Sequence, residues 1–135
     1  MTMVEMAAVL AAVLIAAVTG FQLALAAGVP LGDATMGGRV STENGVLQPP
    51  FRVIAVGSAM VLVLAAWIVL ARAGMLPVFV GGQVLAWGAW VVTGFLALNT
   101  LSNLSGRHPL ERWGMASITL VAGLLVGYVA YAARP

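Results

Sequence analysis

Three stretches of this chain carry side chains that could do chemistry. The first is "GVPLGDATMGGRVSTENGVLQPP" at 28–50, with the acids Asp33 and Glu43, the base Arg39, and Arg52 just beyond it. The second is "NTLSNLSGRHPLERW" at 99–113, where Asn99, Asn103 and Arg107 stand four residues apart and share a face if they lie on one helix. Glu111 and Arg112 follow. The third is scattered through apolar sequence: Gln22, then Gln83, Trp87 and Trp90 with Thr93 and Gly94 close by.

Each stretch suggests binding before catalysis. In the second, Arg107 or Arg112 would hold an anionic headgroup while Asn99 and Asn103 donate hydrogen bonds. The plainer reading is that these residues end one helix, cap the next and set topology. In the third, polar groups inside lipid face other helices and seek partners. Gln22 and Gln83 would then orient a small molecule between tryptophan walls, or simply bond across helices. In the first, ion pairs among Asp33, Arg39, Arg52 and Glu111 are expected across the loops. A catalytic reading would need Asp33, Glu111 or His108 to share a pocket. No serine–histidine–acid arrangement, phosphate-cradling glycine loop or metal-ligand spacing is present in the sequence.

The elements that must position these groups follow from composition. Of 135 residues, 62% are hydrophobic and 7% charged, with a mean hydropathy of +1.08. Soluble domains carry about 25% charged residues, so here lipid must cover the surface. Net charge is +2, with six arginines and no lysine. Bases this dispersed are not a nucleic-acid face. The absence of cysteine excludes disulfides, thiolate metal sites and thiol catalysis. A single histidine excludes a histidine-rich metal site. No cofactor is expected.

Four apolar runs, at about 3–27, 51–71, 78–99 and 110–132, each approach the ~20 residues that span a bilayer. Inside lipid each must be a helix, because its backbone groups can bond only within the segment. The first run is too long for a signal peptide and has Glu5 where such a peptide carries a base. The expected fold is all-α: one transmembrane domain, an up-down four-helix bundle. A tight hairpin at 72–77 joins helices two and three. Pro50 suits a first helical position, and Pro109 opens helix four with Glu111 in its first turn.

The long loop 28–50 reads as an ordered cap. Asp33 would start a helical turn that Gly37 and Gly38 stop, Asn44-Gly45 is a turn signal, and Val29, Leu31, Val40, Val46 and Leu47 give it apolar contacts with the bundle. Ala8, Ala12, Ala16, Gly20, Ala24 and Gly28 form a small-residue ridge on helix one, and Gly123 and Gly127 a GxxxG pair on helix four. These are a dimer face or ordinary packing within the bundle. Four arginines (39, 52, 107, 112) lie on the side of loops 28–50 and 100–109, against two (72, 134) on the other. That places these loops in the cytoplasm.

The landmarks "FQLALAAGVPLGDATMGG", "LQPPFRVIAVGSA", "LARAGML" and "ALNTLSNLSGRHPLERW" resemble, in order and spacing over most of the chain, a group of small four-helix membrane proteins common in bacteria, especially high-GC actinobacteria. Members usually carry an aromatic in the GxPxG loop, often a Trp after the proline; here Leu31 takes that place. The resemblance implies the fold and a bacterial inner membrane, and no reaction. Taken together, the expectation is a non-enzymatic accessory or scaffold component. It would associate with membrane lipids and with itself or other membrane proteins. The alternative is a protein that binds or transports a lipid or small hydrophobic molecule between its helices.

Overall fold

The computed structural model describes residues 1–134. Four long helices make up most of it: α1 (Met3–Ala26), α2 (Pro49–Arg72), α3 (Gly82–Leu104) and α4 (Ala116–Ala132), the last entered through a π-helical turn at Leu110–Met115. All four stretches are long and apolar enough to cross a membrane. Their outer faces stay apolar, with Leu10, Met60, Leu98 and Leu124 exposed.

The helix ends follow local chemistry. Thr2 and Glu5 form a reciprocal capping box at the start of α1, with the Thr2 N–H donating to Glu5 Oε2 at 2.7 Å. Pro49 and Pro50 occupy the first turn of α2, one turn-edge earlier than the sequence suggests. The third helix departs further from expectation. It starts at Gly82, not 78, and runs on to Leu104, past 99. Pro77 and the Gly81-Gly82 pair hold 78–81 out of the helix, and Phe79 stacks on Trp67 with centroids 6.5 Å apart. The expected hairpin at 72–77 is therefore a connection of residues 73–81. At the other end Asn99 and Asn103 remain helical, which shortens the next loop from 100–109 to 105–109.

The core gathers Ala8, Ala11, Ile15 and Val18 of α1 with Leu62 and Val69 of α2, Leu96 of α3 and Val126 of α4. The expected ridge on α1 does not hold to this core. Ala8 is buried and Ala12 half-buried, but Ala16 and Gly20 are exposed. A step of four residues overshoots one turn by about 40°, so the ridge winds off the interface. The buried positions alternate steps of three and four instead, which keeps one face inward. Gly123 and Gly127 do lie in an interface, that of α4 with α3. A Cβ on Gly123 would sit 3.4 Å from Leu96 Cβ, and one on Gly127 3.4 Å from Thr93 Cγ2. One turn further along, the Thr100 and Thr119 hydroxyls share a buried hydrogen bond of 2.9 Å. α2 and α3 meet over a much smaller face than the other neighbouring pairs.

Residues 27–48 fold as a compact cap on one end of the helices. Two 3₁₀ turns, Gly32–Ala34 and Met36–Gly38, are followed by an antiparallel hairpin pairing Thr42–Glu43 with Val46–Leu47. Asn44 (φ 51°) and Gly45 (φ 82°) make its two-residue turn, the conformation an Asn-Gly pair favours. Leu47 is buried against Leu25 and Ala55, with Phe21, Leu31, Val40 and Phe51 around it. Arg52 Nε donates to the Ala26 carbonyl at 2.8 Å, supplying a donor and a positive charge at the C-terminal end of α1.

These contacts separate two glycine substitutions. Gly123→Leu forces α4 off α3 and should cost about 1–3 kcal/mol. Gly20→Leu, at a position with nothing within 4 Å, should stay within about 0.5 kcal/mol of wild type. Thermal scanning of the purified protein in mild detergent, read by loss of the monodisperse peak, checks both.

Candidate functional site

The polar residues of the helices are not spread evenly. Several meet just beneath the cap, where a cavity of about 120 Å³ opens between all four helices. On each helix its lining residues are helical neighbours, three or four apart: Val18 and Gln22 on α1, Ser58 and Leu62 on α2, Phe95, Asn99 and Asn103 on α3, and Met115 and Thr119 on the π turn and α4. Ala34 and Thr35, both buried, close it from the cap side.

The lining is uncharged and rich in hydrogen-bonding groups. Asn99 Nδ2 donates to the Phe95 carbonyl at 3.0 Å, and the Thr119 hydroxyl bonds to Thr100 and to its own helix. Gln22 Oε1 is different. It is a buried acceptor with no partner among the described residues. Buried polar atoms are nearly always satisfied, and this one is an exception.

The cap is locked over the cavity by a second unusual group. Glu111 is 2% exposed, and its Oε1 accepts the Gly37 N–H at 3.0 Å across 74 residues of sequence. Its Oε2 is buried without a partner among the described residues. Gly106 lies so close to this oxygen that a Cβ there would collide with it. Gly37, in turn, holds φ at 72°, a conformation that costs most residues and suits glycine. Met36 (φ 51°) shares the left-handed strain of this turn.

Of the residues singled out from sequence, Gln22, Asn99 and Asn103 converge in the cavity. Gln83, Trp87 and Trp90 do not join them. They border a separate, shallow cleft on the outer face of α3, and Trp87 is 64% exposed. The helical period explains the split: Trp90 and Asn99 are nine residues apart, which is about 180° around the axis. Arg107 and Arg112 also lie outside the cavity lining. Arg107 packs its Cβ near Gly38, and Arg112 sits over the Trp113 ring, 5.3 Å from its centroid.

The ion pairs expected across the loops give way to bonds with neutral groups. Asp33 Oδ1 accepts from the Thr42 hydroxyl, Arg52 donates to a carbonyl, and Glu111 takes a backbone N–H. Arg39 is exposed, folded back beside Gly37. The physical reason is geometric: the cap's turns bring backbone, not guanidinium, to Glu111. His108 is engaged separately, its Nδ1 accepting the Leu110 N–H at 3.1 Å. Asp33, His108 and Glu111 thus serve three different local bonds.

Sequence reading missed Thr35, Ser58 and Thr119. Ser58 had a usable signal, being the lone hydroxyl of α2. Thr35 had none, because only the cap's tertiary fold brings it to the cavity.

The Glu111–Gly37 bond can be tested through Arg39, an exposed tryptic site in the cap. Glu111→Leu leaves the Gly37 N–H unpartnered, a loss of about 1–3 kcal/mol. Tryptic cleavage after Arg39 should then quicken by about fivefold to a hundredfold where opening and closing are fast relative to cleavage. Glu111→Gln keeps an acceptor and should cleave at nearly the wild-type rate. No protein-family model, curated protein or solved structure matches this chain, so its functional reading rests on its own residues.

Proposed function

We propose that this chain is a multi-pass protein of the bacterial inner membrane, with four helices running alternately up and down, and that it binds a lipid or small hydrophobic molecule in the cavity beneath its cap. The observation that carries the ligand reading is an uncharged cavity between all four helices, lined by the polar side chains of Gln22, Ser58, Asn99, Asn103 and Thr119. Binding, not catalysis, is the role these neutral groups support.

The membrane reading is supported by four long helices with apolar outer faces. The up-down course is supported by contacts that progress in opposite directions along paired helices. Thr93 meets Gly127, Leu96 meets Gly123, and Thr100 meets Thr119. Arg52 meets Ala26 at the cap end, while at the far end Arg72 Nη2 donates to the Ala133 carbonyl. Four arginines on the cap side against two opposite favour a cytoplasmic cap. A ligand-binding role is preferred to the accessory or scaffold role because Gly123 and Gly127, half of the small-residue argument for association, pack against this chain's own α3.

The chain has no native cysteine, which makes topology direct to measure. Single cysteines at Asn44 and Ser105 should react with an impermeant maleimide only from the cytoplasmic side. A cysteine at Gly74 should react only from the other side. Labelling of Asn44 and Gly74 from the same side would refute the up-down course.

For the ligand, native mass spectrometry of protein extracted in mild detergent should show a bound non-protein mass. The double variant Gln22→Leu, Asn103→Leu should lose it. A bare protein mass in both forms, or equal retention in both, would count against the reading.

A further inference from the structure

We infer that the ligand is a single-chain amphiphile with an uncharged, hydroxyl-bearing head, its head in the cavity beneath the cap and its tail in an apolar groove between α2 and α3. This rests on the ligand-binding reading above and adds the chemical class.

The groove occupies the seam where α2 and α3 pack least. It measures about 250 Å³ and is walled by Val61, Leu64 and Ile68 on one side and Gly88, Val91 and Phe95 on the other, with no polar side chain among its lining residues. From Val61 to Ile68, and from Gly88 to Phe95, it follows two turns of helix, roughly 10 Å. Phe95 lines both this groove and the polar cavity. Leu62, which lines the cavity, adjoins Val61 of the groove. A molecule reaching from one into the other must be polar at the cap end and apolar below it.

The head's chemistry follows from its surroundings. No acid, arginine or histidine lines the cavity. An ionised head there would be buried without a counter-charge, at a cost of several kcal/mol. Two arginines on the cap side are turned to other contacts, Arg52 to the Ala26 carbonyl and Arg112 to Trp113. The polar groups that line the cavity, from Gln22, Ser58 and Asn103, are amides and a hydroxyl, which a hydroxyl-bearing head meets as both donor and acceptor. A cavity of about 120 Å³ admits a head of a few heavy atoms and not a phosphodiester with its substituents. A groove of about 250 Å³ holds part of one acyl chain and leaves no room for a second.

The test uses the full chain in liposomes with a monoacylglycerol carrying a diazirine midway along its acyl chain. After photolysis, adducts should map to residues 61–68 and 88–95. Unlabelled monooleoylglycerol should compete, while ionised oleate and phosphatidylglycerol should not at the same concentration. Gln22→Leu should lower specific labelling by about tenfold, the factor set by one hydrogen bond to a buried polar group. Leu64→Trp and Val91→Trp, at positions 55% and 68% exposed, fill the groove without overpacking the core. They should abolish labelling while the protein still elutes as a monodisperse peak.

Adducts spread evenly over the outer faces of all four helices, or oleate competing as well as monooleoylglycerol, would overturn the inference. So would labelling unchanged in the tryptophan variants. If the adducts are diffuse but native mass spectrometry still finds a mass lost in the Gln22, Asn103 variant, the cavity binds something and only the tail assignment falls. If both fail, the ligand reading falls with it.

Discussion

The hydrogen bond from the Gly37 N–H to the Glu111 carboxyl fixes where the cap sits, and the cap determines that there is a cavity at all. Residues 27–48 are anchored twice. On the α1–α2 side, Leu47 is sunk between Leu25 and Ala55. On the α3–α4 side, Gly37 is tied to Glu111. Between the two anchors lie Ala34 and Thr35, the residues that roof the space between the helices. The anchors differ in kind. Apolar burial tolerates small shifts, whereas a buried N–H that loses its acceptor is penalised at once. The directional bond therefore sets the height of the roof, and the apolar anchor keeps it from lifting at the opposite edge.

Much of the architecture was legible because long apolar runs bounded by proline and glycine read as helices of spanning length. Four runs of about the spanning length, punctuated by proline and glycine, leave little choice but four helices. The ends were harder to read where hydrophobicity and helix formation part company. Val78 to Val80 are apolar yet lie outside α3, since Pro77 and two glycines block a helical start and Phe79 finds Trp67 as a neighbour. Asn99 and Asn103 are polar yet helical, because the cavity offers them a place within the bundle. The site was half legible for a related reason. Gln22, Asn99 and Asn103 could be picked out as polar groups in or beside apolar runs, but grouping them with Gln83, Trp87 and Trp90 ignored the rotation between residues nine or more apart on one helix. The partnership of Glu111 with Gly37 had no local signal, since it joins positions 74 residues apart.

Polar side chains within the helices divide into two sets. Thr19 and Thr93 return their hydroxyls to the carbonyl four residues back, at 2.8 and 2.9 Å. Such bonds satisfy the group inside its own helix and demand nothing of a neighbour. Gln22, Ser58 and Asn103 are of the other set: they face a common space at one level of the bundle. If their purpose were to glue helices together, direct contacts like that of Thr100 with Thr119 would serve. Here the polar groups surround a void instead of meeting one another.

The π turn at Leu110–Met115 connects the latch to the cavity. In a regular helix, positions 111, 115 and 119 would wind away from one another by about 40° at each step. Glu111 would then leave the bundle interior if Met115 and Thr119 faced it. Widening one turn by a residue absorbs this drift. Glu111 can be 2% exposed and bonded to the cap while Met115 and Thr119 line the cavity below. The widened turn thus sets the group that holds the roof and the groups that line the floor on one face of one helix. A shift in that turn would move both together. The position of the cap and the shape of the cavity are coupled through this one turn.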